Sequence, residues 1–229
     1  MKHILTYLFI ILILGSCSTH NSQREIKEFE QMLGKENVEE LNRYISEFED
    51  SLLRRKYPDY KLSDAYRKIA FESIEESDES FKKYFSDSGK QRFLNSQLWN
   101  EIYAPADSVW IEDNEFVIRF VYNSNDGIKP TSQTGERLPE LSSRDSLKTE
   151  LLKWIDFNRE GKYIRALLKI RNRNKFLNSI TEIKSILGVI TPGVIQHDIK
   201  SYQPDLNDYI NRRVIAIELS RTLNNYRLD

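Results

Sequence analysis

The chain has 229 residues, of which 34 are basic and 35 acidic, giving a formal net charge of −1. That balance lacks the strong basic excess of a nucleic-acid binder, so no nucleic-acid partner is expected. A single cysteine leaves no disulfide partner and no cysteine-based metal site.

The chain opens with Lys2 and His3, followed by an apolar run of eleven residues, Ile4–Leu14. A membrane-spanning helix needs about 20 apolar residues, so this run is too short to cross a bilayer and reads as a secretory signal. Leu14, Gly15, Ser16 and Cys17 end it, and polar residues follow at once. These four residues resemble the lipobox of bacterial lipoproteins. The resemblance implies cleavage before Cys17, a lipid on its thiol and usually a second acyl group on the freed amine. Two or more chains hold a protein at a membrane where one holds it only marginally. The competing readings are a chance thiol beside ordinary secretory cleavage, an uncleaved anchor and a buried cytosolic helix.

On the lipobox reading, residues 1–16 are a signal peptide, 17–24 a lipid-anchored polar tether and 25–229 a single mostly helical domain. The mature chain keeps 213 residues, with 33 basic against 35 acidic. Eleven Phe, twelve Tyr and three Trp can supply a large core. No Gly-rich nucleotide-binding motif occurs.

A first helix is expected over Glu25–Leu33, stopped by Gly34. Asn37 caps a second, with Val38, Leu41, Ile45, Phe48 and Leu52 along one face. Ser63 caps a third, which turns Tyr66, Ile69, Ala70 and Ile74 inward. A short helix is expected near Phe81–Phe85 and a longer one over Ser88–Tyr103. Alternation at Val109 and Ile111, then at Phe116, Ile118, Phe120 and Tyr122, predicts one β-hairpin at about 108–122, turning at Asp113-Asn114. Residues 123–142 read as a long irregular loop. Helices are expected again from Ser143, over Tyr163–Ile170 and Phe176–Leu187, from Thr191-Pro192 to about Ser201, and after an Asp205 cap. The fold class is mainly α, an irregular multi-helix bundle with one hairpin.

Candidate chemistry is sparse. His197 is the only histidine in the domain, and neighbouring Asp198 is not expected to orient it, because consecutive helical residues do not face each other. A His/Cys zinc site lacks ligands, so no metal or cofactor is expected. Asn123–Gly127 fails the EF-hand pattern at Tyr122 and Gln133. The acidic cluster Glu72, Glu75, Glu76, Asp78 and Glu79 reads as a solvated face. Ser80-Phe81-Lys82-Lys83 has S-x-x-K spacing without its companion motifs. Arg165, Lys169, Arg171, Arg173 and Lys175 form a basic stretch, read as a solvated turn or as a contact for anionic headgroups or an acidic partner.

Leu33-Gly34-Lys35-Glu36-Asn37 and Pro204-Asp205-Leu206-Asn207-Asp208-Tyr209 make the mature chain similar to envelope lipoproteins of Gram-negative bacteria, a group with no assigned activity. No catalytic residues carry over from it. In some lipoprotein systems an aspartate after the cysteine retains the protein at the inner membrane. Ser18 stands there, which points to the outer membrane, facing the periplasm. The expected function is a non-enzymatic interaction or scaffold domain, held at the membrane through Cys17 and binding an envelope protein. The alternatives are a hydrolase using carboxylates or His197 beneath the 123–142 loop, and a carrier of a small apolar ligand.

Overall fold

A computed structural model describes residues 22–75, 81, 83–84, 86–124, 127–137, 144–188 and 190–223. The signal segment, Leu14, Gly15, Ser16 and Cys17 lie outside the described residues, as do Ser80, Lys82 and most of the acidic cluster. The fold is mainly α, built on one β-hairpin, as the sequence predicts.

Helix α1 covers 22–33, starting three residues before its expected start and taking up the end of the stretch read as tether. Gly34 ends it at a φ of +88°, a conformation that costs glycine nothing. Helix α2, Lys35–Glu47, restarts at once with Gly34 in the cap position. Asn37 is therefore not a cap. It is buried, and its Nδ2 donates to the Leu33 carbonyl at 2.9 Å, satisfying one of the acceptors that α1 leaves open. A π-helical stretch, Phe48–Leu53, and then Arg54–Lys56 continue α2. Widening the turn there lets adjacent Leu52 and Leu53 both enter the core.

Helix α3 spans Leu62–Glu75. Its first bond runs from the Ala65 N–H to the Lys61 carbonyl, so Ser63 lies inside the first turn rather than at the cap. Tyr66, Ile69 and Ala70 are buried as expected, but Ile74 is exposed. The single helix expected over Ser88–Tyr103 is two, α4 (Asp87–Leu94) and α5 (Gln97–Ile102). Ser96 makes the break by accepting from the Trp99 N–H at 3.1 Å, drawing that donor out of a continuous helix. Stacked Tyr44 and Phe93, at 4.1 Å, and edge-on Phe93 and Trp99, at 5.5 Å, join α2 to this pair.

Strands β1 (Tyr103–Glu112) and β2 (Glu115–Ser124) form the hairpin. Asp113 and Asn114 turn it with φ of +48° and +65°, the two positive values of a type I′ turn. Phe116, Ile118, Phe120 and Tyr122 face inward, whereas Ile111 is exposed near the turn.

The segment expected as loop 123–142 contains strand β3, Gly127–Arg137, which pairs antiparallel with β2. Pro130 and scattered glycines hide it in sequence. It forms because β2 would otherwise present an open edge, and an outer strand tolerates proline. With β4 (Ile155–Phe157) the sheet order is β3-β2-β1-β4.

Helix α6 (Arg144–Leu151) packs on β1, and α7 (Lys162–Ile170) follows Gly161. A Cβ on Gly161 would stand 2.0 Å from the Glu101 carbonyl oxygen, so only glycine lets α7 start this close to α5. A 3-10 turn, Arg171–Arg173, leads to α8 (Lys175–Leu187), then α9 (Pro192–Tyr202) and α10 (Tyr209–Leu223). Asp205 does not cap α10; it holds the Asn207 N–H one turn earlier. Asp208 caps it instead, accepting from Ile210 and Asn211. Val214 to Ser220 are all buried, so α10 is the central helix. One large core joins the helices, and a smaller one lies against the sheet around Val109, Phe116 and Leu151.

Candidate functional site

The basic stretch read from the sequence divides in the fold. Arg173 turns inward, and its side chain is only 8% exposed. Nη1 donates to the Ser22 carbonyl at 3.0 Å and to Glu25 at 2.9 Å, while Nη2 meets the Ser22 hydroxyl and Asp208. Asp208 is also the α10 cap. Asn174 caps α8 through the Leu177 N–H at 2.9 Å and donates to Asn211 of α10 at 3.2 Å. One arginine thus ties the first residue of α1 to the 3-10 turn and to the start of the central helix. Charge-assisted bonds of this kind are about twice as strong as neutral ones.

Around that clamp the other members face water. Lys169, Arg171 and Lys175 are exposed, and none forms an ion pair among the described residues. Arg165 is half-buried. An open groove of about 470 Å³ adjoins the turn, lined by Asn172, Lys175, Asn178, Ser179, Glu182 and Tyr202 among others. Its amides, hydroxyls and charges suit a polar solute and give an apolar ligand little to bury against, which offers the carrier reading no support.

His197 lies on the exposed face of α9, its side chain 72% exposed. Contrary to expectation, Asp198 does reach it: Oδ1 stands 3.1 Å from Nδ1, while Nε2 stands 3.5 Å from Ser201 Oγ. The order hydroxyl, imidazole, carboxylate is that of an acyl-transfer triad. All three, however, sit on one helix, whose interior N–H groups are spent on its own carbonyls and cannot stabilise an oxyanion. Of the 123–142 segment expected to cover the site, Gly127–Arg137 forms strand β3. Replacing His197 by alanine is expected to change unfolding free energy by no more than about 0.5 kcal/mol, as measured by urea denaturation.

Glu72, from the acidic cluster, is not a free carboxylate. Tyr57 donates to it at 2.6 Å, and Lys56 and Lys68 lie at 3.1 and 2.9 Å. Burial works to raise its pKa, but the bonds from Tyr57, Lys68 and Lys56 prevail and bring it down to about 2. A carboxyl held below its ordinary value stabilises the fold above that value and loses the contribution as pH falls towards the folded pKa. The wild-type melting temperature is therefore expected to drop more steeply between pH 4.5 and 2 than that of Glu72→Gln, a comparison calorimetry can make.

No local pattern marks the buried pair Lys184 and Glu218, each 1% exposed. Lys184 Nζ lies 2.8 and 2.9 Å from the two carboxylate oxygens, 3.5 Å from the Gly188 carbonyl and 3.6 Å from the centre of the Phe157 ring. Burial pulls the Lys184 pKa down against the opposing effect of Glu218. Beside it, Asp156 accepts from Tyr122 at 2.7 Å and from Arg159 at 3.0 Å. These bonds join α8, α10, β2 and β4, so the charges brace the sheet against the helices.

Among the described residues, no group of His, Cys, Asp and Glu side chains could hold a metal ion. No described helix is long and apolar enough to cross a membrane. No family model, curated protein or solved structure matches the chain.

Proposed function

We propose that this chain is a lipid-anchored protein of the bacterial cell envelope, held through acyl chains on Cys17, which serves as a non-enzymatic interaction or scaffold domain. Its place is the periplasmic face of the outer membrane, and its partner is an envelope protein. The lipobox Leu14-Gly15-Ser16-Cys17 supports the anchor, and Ser18 supports the outer membrane. The observation that carries the reading is the Arg173 clamp on Ser22. It locks the domain to the chain at Ser22, five residues after Cys17. Such a domain works within reach of the membrane. His197, on an open helix face whose own N–H groups are spent within the helix, gives the hydrolase reading no comparable support.

Fractionation tests the anchor. The full chain is expected in the membrane pellet after a high-salt wash, and Cys17→Ser is expected to leave it. Crosslinking the anchored protein in cells, followed by repeated capture, tests the partner. Recovery of one specific envelope protein supports the reading, and recovery of only non-specific neighbours overturns it.

A further inference from the structure

The clamp fixes which side of the domain the tether leaves. From Cys17 to Ser22 the chain can reach at most about 18 Å even when fully extended. The surface around Ser22 is therefore the part of the domain kept nearest to whatever Cys17 is anchored in. Arg173 places the 3-10 turn at this point.

The charges exposed here differ from those of the whole chain. Lys169, Arg171 and Lys175 project from the turn and its flanking helices, and Arg24 and Lys27 from the first turns of α1. The acids in direct contact with the clamp, Glu25 and Asp208, are occupied by Arg173. Glu28 lies 3.7 Å from Arg24, Glu30 accepts from the Tyr209 hydroxyl, and Asp205 and Glu182 are the other acids on these segments. Among the exposed side chains on these segments, five basic residues thus stand against two acidic ones, Glu182 and Asp205, in a chain whose net charge is −1. Leu168, next to Lys169 in the chain, is an exposed apolar side chain. Electrostatic attraction to a charged surface fades over about 8 Å at physiological salt, so the basic groups act only where this face lies against the surface. Basic groups beside an exposed leucine fit a surface of anionic headgroups over acyl chains.

We infer that the face bearing Lys169, Arg171 and Lys175 rests on the anionic lipid surface to which the protein is anchored. The inference builds on the anchoring of Cys17 proposed above. It makes the lipid itself a partner of the domain and fixes the domain's orientation, presenting the opposite side to proteins.

The test uses the full lipidated protein in vesicles. With Cys17 acylated, an introduced cysteine is the only free thiol. One fluorophore is placed at Asn172→Cys, on the turn, and another at Lys35→Cys, beyond the 12 residues of α1, which are about 18 Å long. The vesicles are phosphatidylcholine with or without phosphatidylglycerol, and they carry a headgroup nitroxide quencher. In phosphatidylglycerol vesicles, several-fold stronger quenching at position 172 than at 35 is expected. That difference is expected to vanish in K169E/R171E/K175E, to shrink in K169Q/R171Q/K175Q and to fade with added salt, while the protein stays in the pellet. Equal quenching at both positions, or quenching at 172 unchanged by phosphatidylglycerol or by charge reversal, overturns the inference and leaves the basic face to an acidic protein. Protein that fails to pellet overturns the anchoring itself.

Discussion

Replacing Lys184 by methionine is expected to destabilise the fold by about 3–5 kcal/mol, the cost of leaving one member of a buried ion pair without its partner. Glu218 would remain sealed between α8 and α10 without the ammonium group that now stands 2.8 Å away. The loss is large against the roughly 5–15 kcal/mol by which a domain is stable. The double variant Lys184→Met with Glu218→Leu is expected to recover most of it, because two apolar groups of similar volume carry no desolvation penalty. Urea unfolding of the wild type, both single variants and the double variant would give the coupling as a cycle. A single variant costing under about 1 kcal/mol, with no recovery in the double, would mean that water reaches the pair.

Lys184 also shows where sequence reading stops. In its own helix it is one charge among polar and apolar residues, and Glu218 is one charge in a mostly apolar run. Neither reveals that α10 is surrounded, with Val214 to Ser220 all buried. That follows from how many helices pack around it, which no local pattern records. Arg173 is a similar case: its partners lie at Ser22, Glu25 and Asp208, far along the chain, so within the basic stretch it looks like its exposed neighbours.

Features governed by near neighbours were legible. Of the stripe Val38, Leu41, Ile45, Phe48 and Leu52, all are buried except the half-buried Val38, Gly34 ends α1 and Asp113-Asn114 turn the hairpin. Strand β3 was hidden because its reason to form is the open edge of β2, not its own residues. Boundaries moved where a nearby group offered a better partner. Ser96 took the Trp99 N–H and split a helix, and Asp208 displaced Asp205 as the cap of α10. The Asp198 contact to His197 was missed because side chains can bend together even where helix geometry points them apart.

The second large effect concerns Cys17. Substitution by serine is expected to abolish lipid attachment entirely rather than reduce it, since the hydroxyl cannot stand in for the acylated thiol and no other cysteine exists in the chain. One acyl chain binds a membrane only marginally, so stable retention needs the further chains that follow from cleavage at this residue. With the thiol gone, cleavage, acylation and retention are expected to fail together, and the precursor is expected to keep residues 1–16. The folded part is expected to be unchanged, because Arg173 holds the chain at Ser22 and Glu25.

Anchoring depends on that one thiol, and the intact mass of the mature protein, purified from membranes, tests it directly. The predicted result is a chain that starts at Cys17 and carries the added mass of at least two acyl chains, with none of that mass on Cys17→Ser. A mature chain with an unmodified Cys17, or acyl mass that persists in the serine variant, would contradict it.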